Sequence, residues 1–242
     1  LLTNTTGVAQ TVNFSLYATS QDGCESLPYV VSVIVSPVPV AVATPMSQTV
    51  CAGTSASIAF TTSNALPGVV FNWTRDNINV GGLPMNGTGD IATSLLTNAT
   101  TTAQTVNFTI TAGIPGCPVV TMPNVTITVR PQPSLAVAPL AQTVCSGTPI
   151  SALSFTNPNA MAGTTYSWTR DNLTNVTGIP ASGTGASVGG ILTNNTGVPQ
   201  TVEFTIMASN AGCDSFTLTS TVVVNPAPVI SVSQPSQAIC NN

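Results

Sequence analysis

Only 4% of the 242 residues are charged: three basic side chains, seven acids and no histidine, for a formal charge of −4. The cations are Arg75, Arg130 and Arg170, too few to neutralise a nucleic-acid backbone or to hold an anionic membrane surface. Without histidine or lysine there is no Ser-His-Asp triad, histidine metal site, P-loop or Schiff base, so the composition argues against an enzyme.

Hydrophobic residues reach 43%, but they come in short runs. None approaches the ~18–20 apolar residues of a membrane span, so no membrane insertion is expected. The opening Leu1-Leu2-Thr3-Asn4 does not read as a signal peptide. That start suggests a removed leader or an internal piece. The length suits two to three small domains.

Taken in chain order, the sequence repeats itself. Residues 1–37 open with Leu1-Leu2-Thr3-Asn4, continue through Gln10-Thr11-Val12-Asn13-Phe14 and end at Ser36-Pro37-Val38-Pro39. Residues 38–131 begin a fuller version. It contains Gln48-Thr49-Val50-Cys51, Phe71-Asn72-Trp73-Thr74-Arg75-Asp76-Asn77, Gly87-Thr88-Gly89 and Leu95-Leu96-Thr97-Asn98, then Gln104-Thr105-Val106-Asn107-Phe108. It closes at Arg130-Pro131-Gln132-Pro133. Residues 132–226 repeat the series: Gln142-Thr143-Val144-Cys145, Tyr166-Ser167-Trp168-Thr169-Arg170-Asp171-Asn172, Leu192-Thr193-Asn194 and Gln200-Thr201-Val202-Glu203-Phe204. They close at Asn225-Pro226-Ala227-Pro228, and Gln237-Ala238-Ile239-Cys240 then starts the series again. A repeat this long is a domain array, and Pro-x-Pro makes a short stiff linker.

The expected organisation is therefore the C-terminal half of one domain (1–37), two complete domains (38–131 and 132–226), and the first strand of a further one (227–242). Half a sandwich exposes its core and an open edge. Its completion is expected from more of the same polypeptide or from a neighbouring subunit.

Strict alternation marks strands. Val106, Phe108 and Ile110 face one way, with Thr105, Asn107 and Thr109 opposite. Val202, Phe204, Ile206 and Val12, Phe14, Leu16 repeat the pattern. Val, Ile and Thr favour strands, and no helical period is visible. The fold class is all-β, with tandem immunoglobulin-like antiparallel sandwiches arranged head to tail. Phe14, Phe108 and Phe204 are expected in cores. So are Trp73 and Trp168, as the tryptophans of a third strand, although an aromatic platform for sugar is the competing role. Arg75-Asp76 and Arg170-Asp171 point to opposite faces and are expected to make local structural contacts.

These landmarks resemble a known group. Val-Cys-x-Gly, Trp-Thr-Arg, Gly-Thr-Gly, Leu-Thr-Asn, Thr-Val-x-Phe and Gly-Cys, seen at Cys51, Trp73, Gly87, Leu96, Phe108 and Gly116-Cys117, are similar to the PKD-like and immunoglobulin-like repeats of large secreted Bacteroidota cell-surface proteins. The resemblance covers the whole chain. It implies giant adhesins or spacers in secreted enzymes, exported to the cell surface.

Six cysteines form two classes. Cys51, Cys145 and Cys240 precede the second strand of their repeats; Cys24, Cys117 and Cys213 follow the sixth. An even count in an extracellular-looking chain suggests disulfides. In a seven-strand sandwich the second and sixth strands run the same way, which puts the two classes at opposite poles. About eight strand residues at ~3.3 Å separate the poles by roughly 25 Å, whereas a disulfide needs Cα atoms within ~7 Å. Bridges between consecutive domains are therefore the leading expectation: Cys51 with Cys213, and Cys24, Cys117, Cys145 and Cys240 with partners outside this segment. The alternative is pairing within domains, Cys51–Cys117 and Cys145–Cys213.

No metal or other cofactor is expected. Asp22 and Glu25 beside Cys24, and Asp214 beside Cys213, come nearest to a calcium set, but Cys117 is followed by Pro118-Val119. The functional expectation is a structural or adhesive repeat region of an extracellular filament or adhesin, a rigid disulfide-stapled rod. Its partners would be copies of itself or adjacent repeats, with surface glycans or the substratum as further contacts. The alternative is a set of spacer or carbohydrate-binding repeats in a larger secreted enzyme.

Overall fold

A computed structural model describes residues 1–233, apart from the side chains of residues 123 and 124. All regular structure among the described residues is β-strand, so no helix is long and apolar enough to cross a membrane. Contacts divide the chain into two compact units, Leu1–Pro131 and Gln132–Asn242.

The first unit opens with a hairpin, β1 (Gln10–Leu16) and β2 (Tyr29–Val35), paired antiparallel with Phe14 opposite Val31. A sandwich follows. Its strands are β3 (Ala41–Thr44), β4 (Ser47–Cys51), β5 (Ser57–Thr62), β6 (Val70–Arg75), β7 (Val80–Gly81), β8 (Asn86–Thr88), β9 (Ile91–Ala92), β10 (Thr97–Asn98), β11 (Gln104–Gly113) and β12 (Val120–Arg130). One sheet has the order β4-β12-β11-β6-β8; the other side is built from β3-β5-β9 and the small pair β10-β7.

The second unit repeats this arrangement. Its strands are β13 (Ala136–Ala138), β14 (Ala141–Cys145), β15 (Leu153–Thr156), β16 (Thr165–Arg170), β17 (Val176–Thr177), β18 (Ser182–Thr184), β19 (Ser187–Val188), β20 (Thr193–Asn194), β21 (Gln200–Asn210), β22 (Cys213–Asp214) and β23 (Leu218–Asn225). The main sheet runs β14-β23-β21-β16-β18, with β22 beside β21, and faces β13-β15-β19 and β17-β20. Residues 227–233 form no strand. The expected opening strand of a further repeat, with Cys240, otherwise falls outside the described residues.

The alternation explains the cores. In β11 the apolar set Val106, Phe108 and Ile110 points inward against Ile127 and Val125 of β12 and Trp73 of β6. The threonines and Asn107 between them stay exposed. In the second unit Val202, Phe204 and Ile206 do the same against Val222, Val224 and Trp168. Such paired faces, packed about 10 Å apart, bury the apolar area that drives folding.

The hairpin departs from this pattern. Phe108 and Phe204 are 3% and 0% exposed, but Phe14 is 43% exposed. The expectation that Phe14 is a core residue is thus corrected. The strand alternates as expected, but β1 and β2 form a two-stranded sheet among the described residues, with no second sheet to cover the apolar face.

The Gly-Thr-Gly landmark has a packing cause. Gly87 lies opposite Trp73 across β6 and β8, and a Cβ there would run into the indole ring; Gly183 and Trp168 repeat the contact. The second glycine of the motif turns the chain at positive φ, +70° at Gly89 and +119° at Gly185, a region open to glycine at little cost. Trp73 then meets Phe108 edge-on, with ring centroids 5.8 Å apart.

This packing makes a prediction. Gly87→Ala should destabilise the first unit by about 1–3 kcal/mol through overpacking against the indole, read as a lower midpoint in urea unfolding. Gly197→Ala, where nothing lies within 4 Å of the added methyl, should change stability by less than about 0.5 kcal/mol.

Candidate functional site

The candidate site is not a cavity but a set of strand-end residues, and the pairing of one short strand places its most reactive members. β4 runs parallel to β12, with Cys51 opposite Arg130. Cys51 is therefore carried to the end of the first unit where the chain leaves through Pro131. β14 pairs with β23 in the same sense, which puts Cys145 opposite Asn225. The other class sits in the connections between the last two long strands. Cys117 precedes β12, and Cys213 opens β22 directly after the β21–β22 turn, beside Asp214, whose carbonyl accepts a hydrogen bond from the Gln132 side chain. Cys213 thus lies at the end of the second unit where the chain enters.

Cys51 and Cys213 are disulfide-bonded. Cys24, Cys117 and Cys145 are exposed free thiols. The within-domain alternative, Cys51–Cys117 with Cys145–Cys213, is corrected: two of its four cysteines are unbridged. The reason is length. β12 has 11 residues, about 35 Å at strand rise, and Cys117 and Cys51 flank its two ends. Cys240 falls outside the described residues.

Arg75 and Arg170 organise the loop after the third long strand. Arg75 Nε donates to the Pro84 carbonyl at 3.0 Å, and its two Nη atoms donate to Asn77 at 2.6 Å and Leu83 at 2.7 Å. Arg170 Nε donates to Ile179 at 2.7 Å, and Nη1 donates to Val176 at 3.2 Å. Arg170 is 8% exposed, and burial pushes its pKa down while the neighbouring Asp171 pulls it up. The guanidinium fork suits this role because it can serve several carbonyls at once. The aspartates point the other way, as adjacent strand residues must. Asp76 accepts from the Asn107 backbone at 2.8 Å and from its side chain at 2.7 Å, and Asp171 accepts from the Glu203 backbone at 2.7 Å.

One polar device has no role assigned from sequence, although its letters recur there. Asn98 Nδ2 donates to the carbonyls of Thr102 at 2.9 Å and Val129 at 2.8 Å, while Oδ1 accepts from the Thr100 amide and hydroxyl. Gln104 Nε2 then donates to the Thr100 hydroxyl. Asn194, Thr196 and Gln200 make the same network onto Val224, and Asn4, Thr6 and Gln10 make it onto Val35. The signal was the spacing Asn-x-Thr-x-x-x-Gln in all three copies. Each asparagine ties the loop before a long strand to the last strand of its repeat.

Neither tryptophan offers a platform to a sugar: Trp73 and Trp168 are 5% and 7% exposed, and their Nε1 atoms are buried without a hydrogen-bond partner. Among the described residues, no three His, Cys, Asp or Glu side chains gather as a metal site.

With this geometry in view, the model of the PKD-like domain matches residues 1–39, 48–133 and 142–228. The chain belongs to the PKD-like domain family. Domains of this family are typical of extracellular structural or adhesive regions and are typically non-catalytic. Comparison with curated proteins finds no match. Among solved structures, the chain is similar to the fibronectin(III)-like modules of Clostridium thermocellum CbhA, at 11% identity over 83% of this chain and 97% of that one, with a TM-score of 0.33. It is similar to the FN1–FN3 domains of chicken CNTN1, at 11% identity over 88% and 77%, with a TM-score of 0.36. It is also similar to cadherin domains 1–4 of protocadherin gamma B7, at 11% identity over 90% and 66%, with a TM-score of 0.30.

Two predictions follow from the PKD-like repeat contacts. Arg170→Lys should cost the second unit about 2–3 kcal/mol, because one ammonium cannot replace the fork and buried carbonyls lose their donors. Arg75→Lys, at a more exposed site, should cost less, and paired urea titrations compare the two. The Asn107 side-chain and backbone hydrogen bonds hold the Asp76 pKa below its ordinary 3.8. A depressed folded-state pKa contributes stability above the unfolded value, and that stability is lost as pH falls through the folded value. Stability measured from neutrality down to strongly acidic pH should therefore decline less steeply in Asp76→Asn than in the parent.

Proposed function

We propose that this PKD-like chain is a structural, adhesive repeat region of an extracellular surface filament or adhesin, in which Cys51 and Cys213 are joined to each other across the boundary between consecutive repeats. The observation that carries the reading is the division of the cysteines. Cys51 and Cys213 are half-cystines while their within-repeat alternatives, Cys117 and Cys145, are thiols. Each half-cystine lies at the end of its own unit nearest the Arg130–Gln132 connection. A bridge at that place closes a long loop and in the chain-entropy model contributes on the order of 5 kcal/mol. It also adds a second covalent tie beside the short stiff linker. Its formation passes two protons and two electrons to an exogenous thiol–disulfide oxidant, as in other extracellular proteins.

The exposed faces suit contact without charge. Thr105, Asn107 and Thr109 of β11, with Thr74 of β6 and Thr88 of β8, present hydroxyls and amides to solvent on one sheet. Such a face hydrogen-bonds to neighbours, to further copies of the chain or to surface glycans. The buried tryptophans favour this structural role over a sugar-binding spacer that works through aromatic stacking.

The sequence makes the test simple. Trypsin can cut after Arg75 and Arg170, while Arg130 precedes Pro131 and resists cleavage. Without reductant, the peptide 1–75 should remain joined to 171–242, and Cys51→Ser should separate them. Peptide 76–170 joined to either of the others would sink the reading, because it holds Cys117 and Cys145.

A further inference from the structure

We infer that the bridge gives these repeats a mechanical function: it takes most of each sandwich off the path along which tension travels, so that the array bears load without unfolding. This rests on the Cys51–Cys213 bridge proposed above. Consider tension applied between residues 38 and 226. Through the bridge, the shortest covalent route runs from 38 to Cys51, across the two sulfurs, and from Cys213 to 226. The 161 residues from Ala52 to Gly212 lie off that route.

The two segments that remain on the route are almost taut. The first contains β3, paired with β5, and then β4, which runs beside β12 to the exit end of its unit. The second contains β22 and β23, and β23 runs parallel to β14 to the far end of the second unit at Asn225. Strands already rise 3.2–3.4 Å per residue, against a limit of ~3.3–3.6 Å for a fully extended chain. A route made of strands has little slack, so its length hardly changes whether or not the sandwiches stay folded. A reduced chain differs. Its load passes through every residue, and the bypassed segment can release about 550 Å of contour. The parallel pairs β4·β12 and β14·β23 then resist only by shear of their backbone hydrogen bonds. The strand-end cysteines thus serve as a strain relief.

The test is single-molecule force spectroscopy on the full chain held by its termini, preceded by the tryptic map on the same preparation. In the oxidised chain the final contour should fall short by about 550 Å, and dithiothreitol added at constant force should release that length in steps. Cys51→Ser and Cys213→Ser should behave like the reduced parent without reductant. If either variant fails to fold, the parent before and after reduction carries the comparison alone. An oxidised chain with the mapped bridge present whose sandwiches still unfold at the forces that unfold the reduced chain, read as solvent exposure of Trp73 and Trp168 by fluorescence, overturns this inference and leaves the bridge standing. A map without the bridge overturns both.

Discussion

The parallel pairing of a short strand with the last strand of its own repeat is the constraint on which this architecture depends. β4 lies along β12 from Ser47 to Cys51, and β14 lies along β23 from Ala141 to Cys145. A parallel partner must run toward the same end as the strand it joins. The cysteine that closes β4 or β14 therefore arrives at the exit of its unit. The connection that carries Cys117 or Cys213 lies at the opposite end for the same reason. The placement of the cysteines and the proposed load path both follow from that direction.

Stability in so uncharged a chain comes from apolar faces and neutral hydrogen bonds. The Asn-Thr-Gln networks satisfy amides and carbonyls with neutral side chains, and their asparagines and threonines lose less rotamer freedom on ordering than lysine or arginine would. Two of the three arginines act as loop organisers, donating to carbonyls at Leu83 and Pro84 or at Ile179 and Pro180. Charge serves internal geometry here. The outer faces of the sheets are left to threonine and asparagine.

Much of this was legible in the sequence. Period-2 patterning in Val106-Phe108-Ile110 names the buried face of β11 because successive strand residues must alternate. The separation of the two cysteine classes follows from strand direction and rise alone. The packing of Trp73 on Gly87 is only half legible: the motif recurs, but that the glycine admits an indole becomes clear only across two strands. The Asn98 network is not legible as a network in the sequence, since one of its acceptors, the Val129 carbonyl, lies 31 residues away. Phe14 marks the limit of pattern. Alternation says which way a side chain points, and whether anything covers it depends on a second sheet.

The most direct measurement is an experimental density map of the oxidised chain at a resolution that separates sulfur atoms. A bridge across the repeat boundary requires continuous density between Cys51 Sγ and Cys213 Sγ, about 2.05 Å apart, with Cys117 and Cys145 ending in unbridged sulfurs. Density joining Cys51 to Cys117, or Cys145 to Cys213, would contradict it.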